Sequence, residues 1–473
     1  MAPALHALSP SFLTVLETTL VAPSPSTRAA PPESSLPLTF FDVLWVNSPP
    51  VERVFFYHLA ADADIATILS NLKTSLSQAL HAYYPLAGRL RLTPGTADRY
   101  ELYYQPGDGV TFTVAEYCDD VDVDELATDE PKKVTKIAPL ALPLPGGGAV
   151  LALQATVLHR GLAIGMTVHH AACDGASSTR FLHAWAAAST GAEGPPPPVI
   201  DRTFVEDPKG RLYDLFSKAM PTADQMEHVK MPDDHLFATF TLSKGDVQRV
   251  KDVVAGEAGR RGTVPPRCSS LVATFGFIWS CYQRAKDAGS SSGARTYLCF
   301  PIDHRLRMKP PVPDEYLGNC VGAAIHAAPE DQLAEAGAGG LFVACTAVAA
   351  AIEEAVGGVG SPELWIEQFK EAAVAGTGIL TVAGSPRFRV YEVDLGFGRP
   401  AKVDIVSVAR TGAMAVAEGR RGGGGMEVGI SLPAVGMKRF QKCFEDALAV
   451  LRGCPCRASQ LNTYCGFSAS PYF

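Results

Sequence analysis

His170 and Asp174 stand four positions apart in Gly161-Leu-Ala-Ile-Gly-Met-Thr-Val-His-His-Ala-Ala-Cys-Asp-Gly175, with Cys173 between them. These side chains can move protons and attack carbonyls. An imidazole titrates near ~6.5, close to what a general base needs. A neighbouring carboxylate can orient it, and a thiolate can act as a nucleophile. The spacing alone says little, because His58-Leu-Ala-Ala-Asp62 repeats it. Context separates the two. His58 ends a strand pattern and Asp62 falls where a helix cap is wanted, so both have structural explanations. His170 ends an almost wholly apolar strand and precedes a small, sharply turning Ala-Ala-Cys-Asp-Gly. A strand feeding a tight turn can project its last side chain into a cleft. The competing reading is a core histidine with satisfied hydrogen bonds, and spacing does not decide between them.

The elements that must hold this turn follow from hydrophobic periodicity. Val150–Leu158 and Gly161–Val168 read as two strands around a His159-Arg160-Gly161 turn. Ser177 to Ala188 reads as the following helix. Val54–Leu59 reads as a strand, and Asp64 to Leu80 as an amphipathic helix capped by Asp62 or Asp64. Ser269 and Ser270 open a helix running to about Ala285, and His235–Leu242 alternates like a half-buried strand. The run Gly191-Ala-Glu-Gly-Pro-Pro-Pro-Pro-Val199 can be neither helix nor central strand. It opens a polar, Pro-punctuated crossover. The expected division is therefore residues 1–205, a crossover at 206–234, and residues 235–473. Both halves mix helices and strands without regular βαβ alternation. No Rossmann or P-loop fingerprint is present. The expected fold class is α/β, in two domains with mixed sheets.

Composition excludes several classes. Residues of the AVILMFWYC set make up 47% and charged residues 19%, too apolar for a disordered chain. The net charge is −8 with no basic stripe, which argues against nucleic acid as a partner. Apolar runs are broken well short of a span, so no membrane segment is expected. The N-terminal stretch lacks a basic region and is interrupted by Pro10 and Glu17, so no targeting signal is expected. The 11 cysteines are scattered and odd in number. They are expected as reduced thiols in a cytoplasmic protein. Cys454, Cys456 and Cys465 cluster without a nearby His, a poor zinc set, and no metal is expected.

His170-Ala-Ala-Cys-Asp174-Gly175 resembles the HxxxD(G) motif of the BAHD family of plant CoA-dependent acyltransferases. Leu38-Thr-Phe-Phe-Asp42 is similar to the family's N-terminal L-S-x-x-D. Pro49-Pro-Val-Glu-Arg-Val-Phe-Phe-Tyr57, Tyr84-Pro-Leu-Ala-Gly-Arg-Leu90, Pro301-Ile-Asp-His-Arg305 and Tyr316-Leu-Gly-Asn-Cys320 follow in family order. Then come Gly384-Ser-Pro-Arg-Phe388 and Asp394-Leu-Gly-Phe-Gly398, the latter like D-F-G-W-G but with Leu395 and Phe397 at two aromatic positions. The ordered set runs from about residue 10 to about residue 452.

The resemblance implies a two-domain chloramphenicol-acetyltransferase-like fold with a central channel at the domain interface. It implies His170 as general base for acyl transfer from a CoA thioester, with no acyl-enzyme. It implies Asp174 as a turn-holding residue paired with Arg305, rather than a dyad partner. Asp394, Gly396 and Gly398 become structural support on the CoA side. Ser385, Arg387, Arg399 and Lys402 flank that loop and become candidates for holding CoA, since a net-acidic chain needs a local basic patch to bind a polyanion. Arg180, about 1.7 helical turns past Asp174, is a candidate partner for a malonyl carboxylate. Tyr316–Cys320 is close to the Y-F-G-N-C variant of anthocyanin and flavonoid glycoside acyltransferases, broken at Leu317. The expected reaction is malonyl or hydroxycinnamoyl transfer to a sugar hydroxyl, with acyl-CoA as co-substrate, no bound cofactor, and the chain acting as a monomer. Other acceptors (quinate or shikimate, an alcohol, an amine) stay open, as does a non-catalytic binding protein of the same fold.

Overall fold

The protein is described here from a computed structural model covering residues 12–24, 30–207, 209–218, 230–286, 294–357, 366–368, 370–371 and 379–453. Cys454, Cys456, Cys465 and the first eleven residues lie outside the described residues, as do positions 219–229 of the expected crossover.

Alternating and continuous apolar runs form three sheets. The first orders its strands Leu13–Val21, Val110–Tyr117, Leu151–Leu158, Gly161–Val168, Val51–His58 and Lys402–Ile405. The second orders Val321–Pro329, Arg295–Asp303, Ile379–Gly384, Met414–Glu418, Met426–Pro433, His235–Leu242 and Lys132–Lys133. A small third sheet joins Ser34–Pro37, Tyr100–Tyr104 and Arg89–Leu92. Gly161–Val168 sits inside the first sheet, antiparallel to both neighbours, and every residue in it is buried. Burial on both faces is why the strand reads as a continuous apolar run rather than an alternation.

Helices cover these sheets. Ile65–Ala82 packs against Gly175–Thr190, where the buried Trp185 donates its indole N–H to Leu72 O and Ser75 Oγ. Asp64 caps the first of these through Ala66 N and Thr67 N, so the cap is Asp64 and not Asp62. The Asp62 reading of the decoy motif is thereby corrected: Asp64 is the residue whose carboxylate reaches the first-turn amides. Ser270–Ala285, capped by Ser269, is the buried centre of a second core. Against it lies Ala338–Gly357, which is long and apolar enough to cross a membrane by length and composition. Ala344, Cys345 and Val348 of that helix are buried in the second core.

Two strands cross the expected domain boundary in opposite directions. Lys402–Ile405 pairs with Val51–His58 in the first sheet, and Lys132–Lys133 pairs with His235–Leu242 in the second. The exchange is fastened by ion pairs. Lys132 Nζ reaches Asp404 Oδ2 at 2.8 Å and Lys402 Nζ reaches Asp129 Oδ1 at 2.5 Å. The segment from Val390 to Leu395 likewise packs in the first core, although it belongs to the second half of the chain.

Candidate active site

His170 sits on the turn that follows Gly161–Val168. His169 N donates to Val150 O, and Ala172 N donates to His169 O, which curls the chain tightly. The turn ends at Asp174, the N-cap of helix Gly175–Thr190, whose Oδ1 accepts from Ser177 N at 2.9 Å. Asp174 does not hydrogen-bond to His170. Its Oδ2 accepts from Cys320 N at 3.1 Å and pairs with Arg305 Nη1 at 2.9 Å. Both side chains of that pair are essentially sealed from solvent, at 1% and 2% exposure. Burial pushes the Asp174 carboxyl up, but Arg305 and the two amide donors outweigh it and hold it below its ordinary value. Arg305 also donates to Ser177 Oγ and Tyr316 O. Asp174 and Arg305 therefore clamp the turn between helix Gly175–Thr190 and the segment 303–320.

The orientation of His170 is set by two other residues. Its Nδ1 lies 3.1 Å from Asn319 Oδ1. Asn319 Nδ2 donates to Asp42 Oδ1 at 2.9 Å and to His170 O at 2.8 Å. With its amide hydrogens committed, Asn319 can only accept from His170, so Nδ1 carries the hydrogen. Nε2 is left with the lone pair. Asp42 is fully buried, and its other oxygen accepts from Thr39 N and Thr39 Oγ1. Burial pushes His170 below its ordinary value. Asp174, the Asn319 hydrogen bond and Asp42 pull the other way without reversing it. The ring is therefore neutral at pH 7 and able to take a proton.

Trp45 covers the imidazole. The two rings stack with centroids 3.9 Å apart and planes 20° apart. The adjacent Cys173 is 2% exposed, and burial pushes its thiol far above the ordinary value. A thiol held neutral in this way is a poor nucleophile.

The second half of the chain supplies two further pieces. Asp394 Oδ1 accepts from Gly396 N at 2.9 Å and Gly398 N at 3.0 Å, closing a compact loop. Both glycines have left-handed φ, 98° and 103°, a backbone that side chains strain. Phe397 sets its ring edge-on to Tyr57 at 4.9 Å, and Leu395 is buried in the first core. The replaced aromatics thus serve packing. Beside them the Ser385–Phe388 turn docks on the start of helix Gly175–Thr190. A Cβ on Gly175 would lie 2.7 Å from the Phe388 ring, so the docking needs glycine there. His183 Nε2 donates to Phe388 O at 3.0 Å. Phe388 and Ser385 also line a cavity between the two large sheets, together with Arg53, Val403, Ala417 and Gly429.

The structure distributes the remaining expected site residues unevenly. Arg387 and Arg399 are exposed, and Ser385 Oγ is occupied in capping Arg387 N. Arg180 donates Nη2 to Asp314 O at 3.1 Å, on the loop that precedes Tyr316. Lys402 is a correction. Its side chain has no exposure, and its ammonium is held by Asp129 and Asp404 in the strand exchange, so it is not part of a basic surface for CoA. A charge expected to hold CoA is buried instead because strand Lys402–Ile405 pairs with Val51–His58. Sequence reasoning quoted Asp42 and Asn319 within motifs but gave them no task, and it passed over Trp45. Among the described residues no group of three or more metal-ligating side chains occurs.

The Transferase family model matches residues 12–447. A malonyl-CoA:anthocyanidin 5-O-glucoside-6''-O-malonyltransferase of Arabidopsis thaliana is 31% identical over 466 residues, covering 93% of this chain and 99% of that protein. Phenolic glucoside malonyltransferase 1 of the same plant is 33% identical over 460 residues, covering 89% and 95%. A coumaroyl-CoA:anthocyanidin 3-O-glucoside-6''-O-coumaroyltransferase of the same plant is 28% identical over 473 residues, covering 92% and 97%. In structure, vinorine synthase superposes with a TM-score of 0.66 at 17% identity, covering 90% of this chain and 96% of that one. TRI101 of F. graminearum, complexed with coenzyme A and deoxynivalenol, superposes at 0.61 with 15% identity, covering 86% and 97%. The fold is therefore the two-sheet acyltransferase fold of these proteins. The family match over residues 12–447 and the buried histidine turn lead to one conclusion: the chain belongs to the Transferase family, the BAHD acyltransferases, and is an acyl-CoA-dependent acyltransferase.

Proposed function

We propose that the chain moves an acyl group from acyl-CoA to a sugar hydroxyl of an anthocyanin or flavonoid glycoside, with His170 as general base. The observation that carries the chemistry is the commitment of Nδ1–H to Asn319, which leaves Nε2 as the ring's acceptor. In the first step Nε2 takes the hydroxyl proton as the acceptor oxygen bonds to the thioester carbon. The carbonyl electron pair moves to oxygen and gives a tetrahedral oxyanion. In the second step that oxyanion re-forms the carbonyl, the carbon–sulfur bond breaks, and the imidazolium returns its proton to the departing CoA sulfur. The products are ester and free CoA, and no protein atom is acylated.

The acceptor class rests on the glucoside acyltransferases among the relatives and on the Tyr316–Cys320 segment. Malonyl is the favoured donor, because two of the relatives described are malonyltransferases and Arg180 offers a cation near the same loop. Arg387 and Arg399, exposed beside the Asp394 loop, are the proposed partners of CoA phosphates.

The test is a hydrolysis-corrected screen of malonyl-, acetyl- and coumaroyl-CoA against flavonoid glucosides, quinate, shikimate, simple alcohols and polyamines. Malonylated glucoside should dominate. Arg180→Ala should lose about 1.5–3 kcal/mol in kcat/KM with malonyl-CoA and little with the other two donors. Equal losses across all three would assign Arg180 to structure or to the CoA moiety. Turnover confined to aromatic acyl-CoAs would remove the malonyl reading, and turnover confined to quinate or amines would remove the glycoside one.

A further inference from the structure

Trp45 is placed directly against the base. Its indole lies flat on the His170 imidazole, at 3.9 Å and 20°. Its buried Nε1–H has no hydrogen-bond partner among the described residues, a state it shares with the core indole of Trp279. Trp45 packs against the edge of the first core on one side and against the base on the other.

The local backbone explains how it gets there. Helix Phe40–Val43 is followed by a turn in which Trp45 N donates to Asp42 O and Ser48 N donates to Trp45 O. Asp42 and Trp45 are three residues apart, so one helical turn presents both toward the same site. Asp42 fixes the ring through Asn319, and Trp45 covers its face. The charged and titratable groups around the ring are Asp174 and His169 on its own turn and Asp42 on the short helix. Burial opposes the protonated ring and both carboxylates favour it, while His170 in turn lowers the neighbouring His169.

From this geometry we infer that Trp45 is a positioning residue for acyl transfer, holding the His170 ring in place and stabilising the imidazolium that forms when the ring takes the acceptor's proton. An indole face attracts a cation most strongly when water is excluded, and it does so more weakly for the neutral ring. The stack therefore favours the protonated state at the moment the reaction creates it. The inference rests on the acyl-transfer reading of His170, and its test has one arm that does not depend on turnover.

In that arm the full chain is labelled with 13Cε1-histidine, His170 is assigned by its loss in His170→Gln, and the ring is titrated by NMR in wild type, Trp45→Phe and Trp45→Leu. Removing the indole removes stabilisation of the charged ring, so its titration midpoint must fall. We expect a drop of about half to one pH unit in Trp45→Leu, with Trp45→Phe between the two because a phenyl face is a weaker partner. In the kinetic arm, with malonyl-CoA and a flavonol glucoside, the acid limb of kcat/KM should move down by the same amount. The plateau of kcat should fall about tenfold in Trp45→Leu, with KM for acyl-CoA unchanged. The Phe variant, which keeps an aromatic ring in the slot, guards against a simple folding failure. An unchanged midpoint in Trp45→Leu overturns the inference whatever the activity does. A shifted midpoint in a chain that transfers no acyl group keeps the stack and overturns the reaction assigned to it.

Discussion

Asp42 Oδ1 accepts both N–H groups that Asn319 offers it, the backbone amide at 2.8 Å and the side-chain amide at 2.9 Å. This double contact fixes which way the Asn319 amide faces. Its oxygen must then meet His170 Nδ1, and the basic lone pair must sit on Nε2. A buried carboxylate without contact to the imidazole thus decides the tautomer.

Breaking that chain should cost rate and leave acyl-CoA affinity alone. Asn319→Leu removes the acceptor for Nδ1–H and takes one of the amide donors from Asp42, which keeps the backbone N–H of residue 319 and the Thr39 donors. We expect kcat to fall roughly a hundredfold and stability to fall by about 1–3 kcal/mol. Asp42→Asn keeps the shape and can still accept from Asn319, so its loss should be nearer tenfold. Steady-state kinetics beside thermal melts would read both, and a pure KM effect would argue against the orientation role.

His170→Ala should abolish transfer in a protein that still folds, a loss of about 10²–10⁴-fold. His58→Ala is the control: its imidazole is half exposed and pairs with Asp124 at 2.7 Å, away from the turn. The pH dependence follows from burial. His170 lies below its ordinary value, so the neutral base is present at pH 7, and activity should hold until pH drops below about 6.5 and then decline. A limb at or above pH 7 in kcat/KM would contradict the half-buried, neutral ring.

Asp174→Asn should act chiefly on stability. Breaking a sealed ion pair leaves the buried Arg305 with only the longer ion contact to Asp303 Oδ1, at 3.4 Å, at a cost of up to about 3–5 kcal/mol. Asp174 and Arg305→Ala should show strong coupling in a double-mutant cycle of melting free energies. Because the folded carboxyl lies below its unfolded value, its contribution is present above about pH 4 and is lost as pH falls through the folded value. The Asn variant should therefore lose part of the wild type's sensitivity to acid. Additive stabilities would mean the pair does not act as one clamp.

Cys173→Ser should retain transfer. Its thiol is buried among apolar side chains and held neutral, so it has no thiolate to offer. Intact-mass measurement after incubation with acyl-CoA alone should show no adduct. An acylated Cys173 would replace direct transfer with nucleophilic catalysis.

The strand, turn and helix that carry His170 were readable from the chain because their causes are local. A continuous apolar run, a short turn of small residues and a helical run from Ser177 to Ala188 each act within a few positions, and the structure has strand Gly161–Val168 and helix Gly175–Thr190 there, with Asp174 added as the cap. The family motifs then named His170. Tertiary structure decided what no local pattern contains. Asp42 and Asn319 are 277 residues apart, and only the fold brings them together to choose the imidazole's free nitrogen. Trp45 carries no local signal of a role, and only the fold lays it on the ring. Lys402 read as part of a basic patch for CoA, because it lies a few positions past the Asp394 loop. The exchange of strand Lys402–Ile405 into the first sheet buried it against Asp129 and Asp404. Hydrophobic periodicity determines which residues turn inward, but the partner of a buried polar group is chosen by whichever distant segment packs against it.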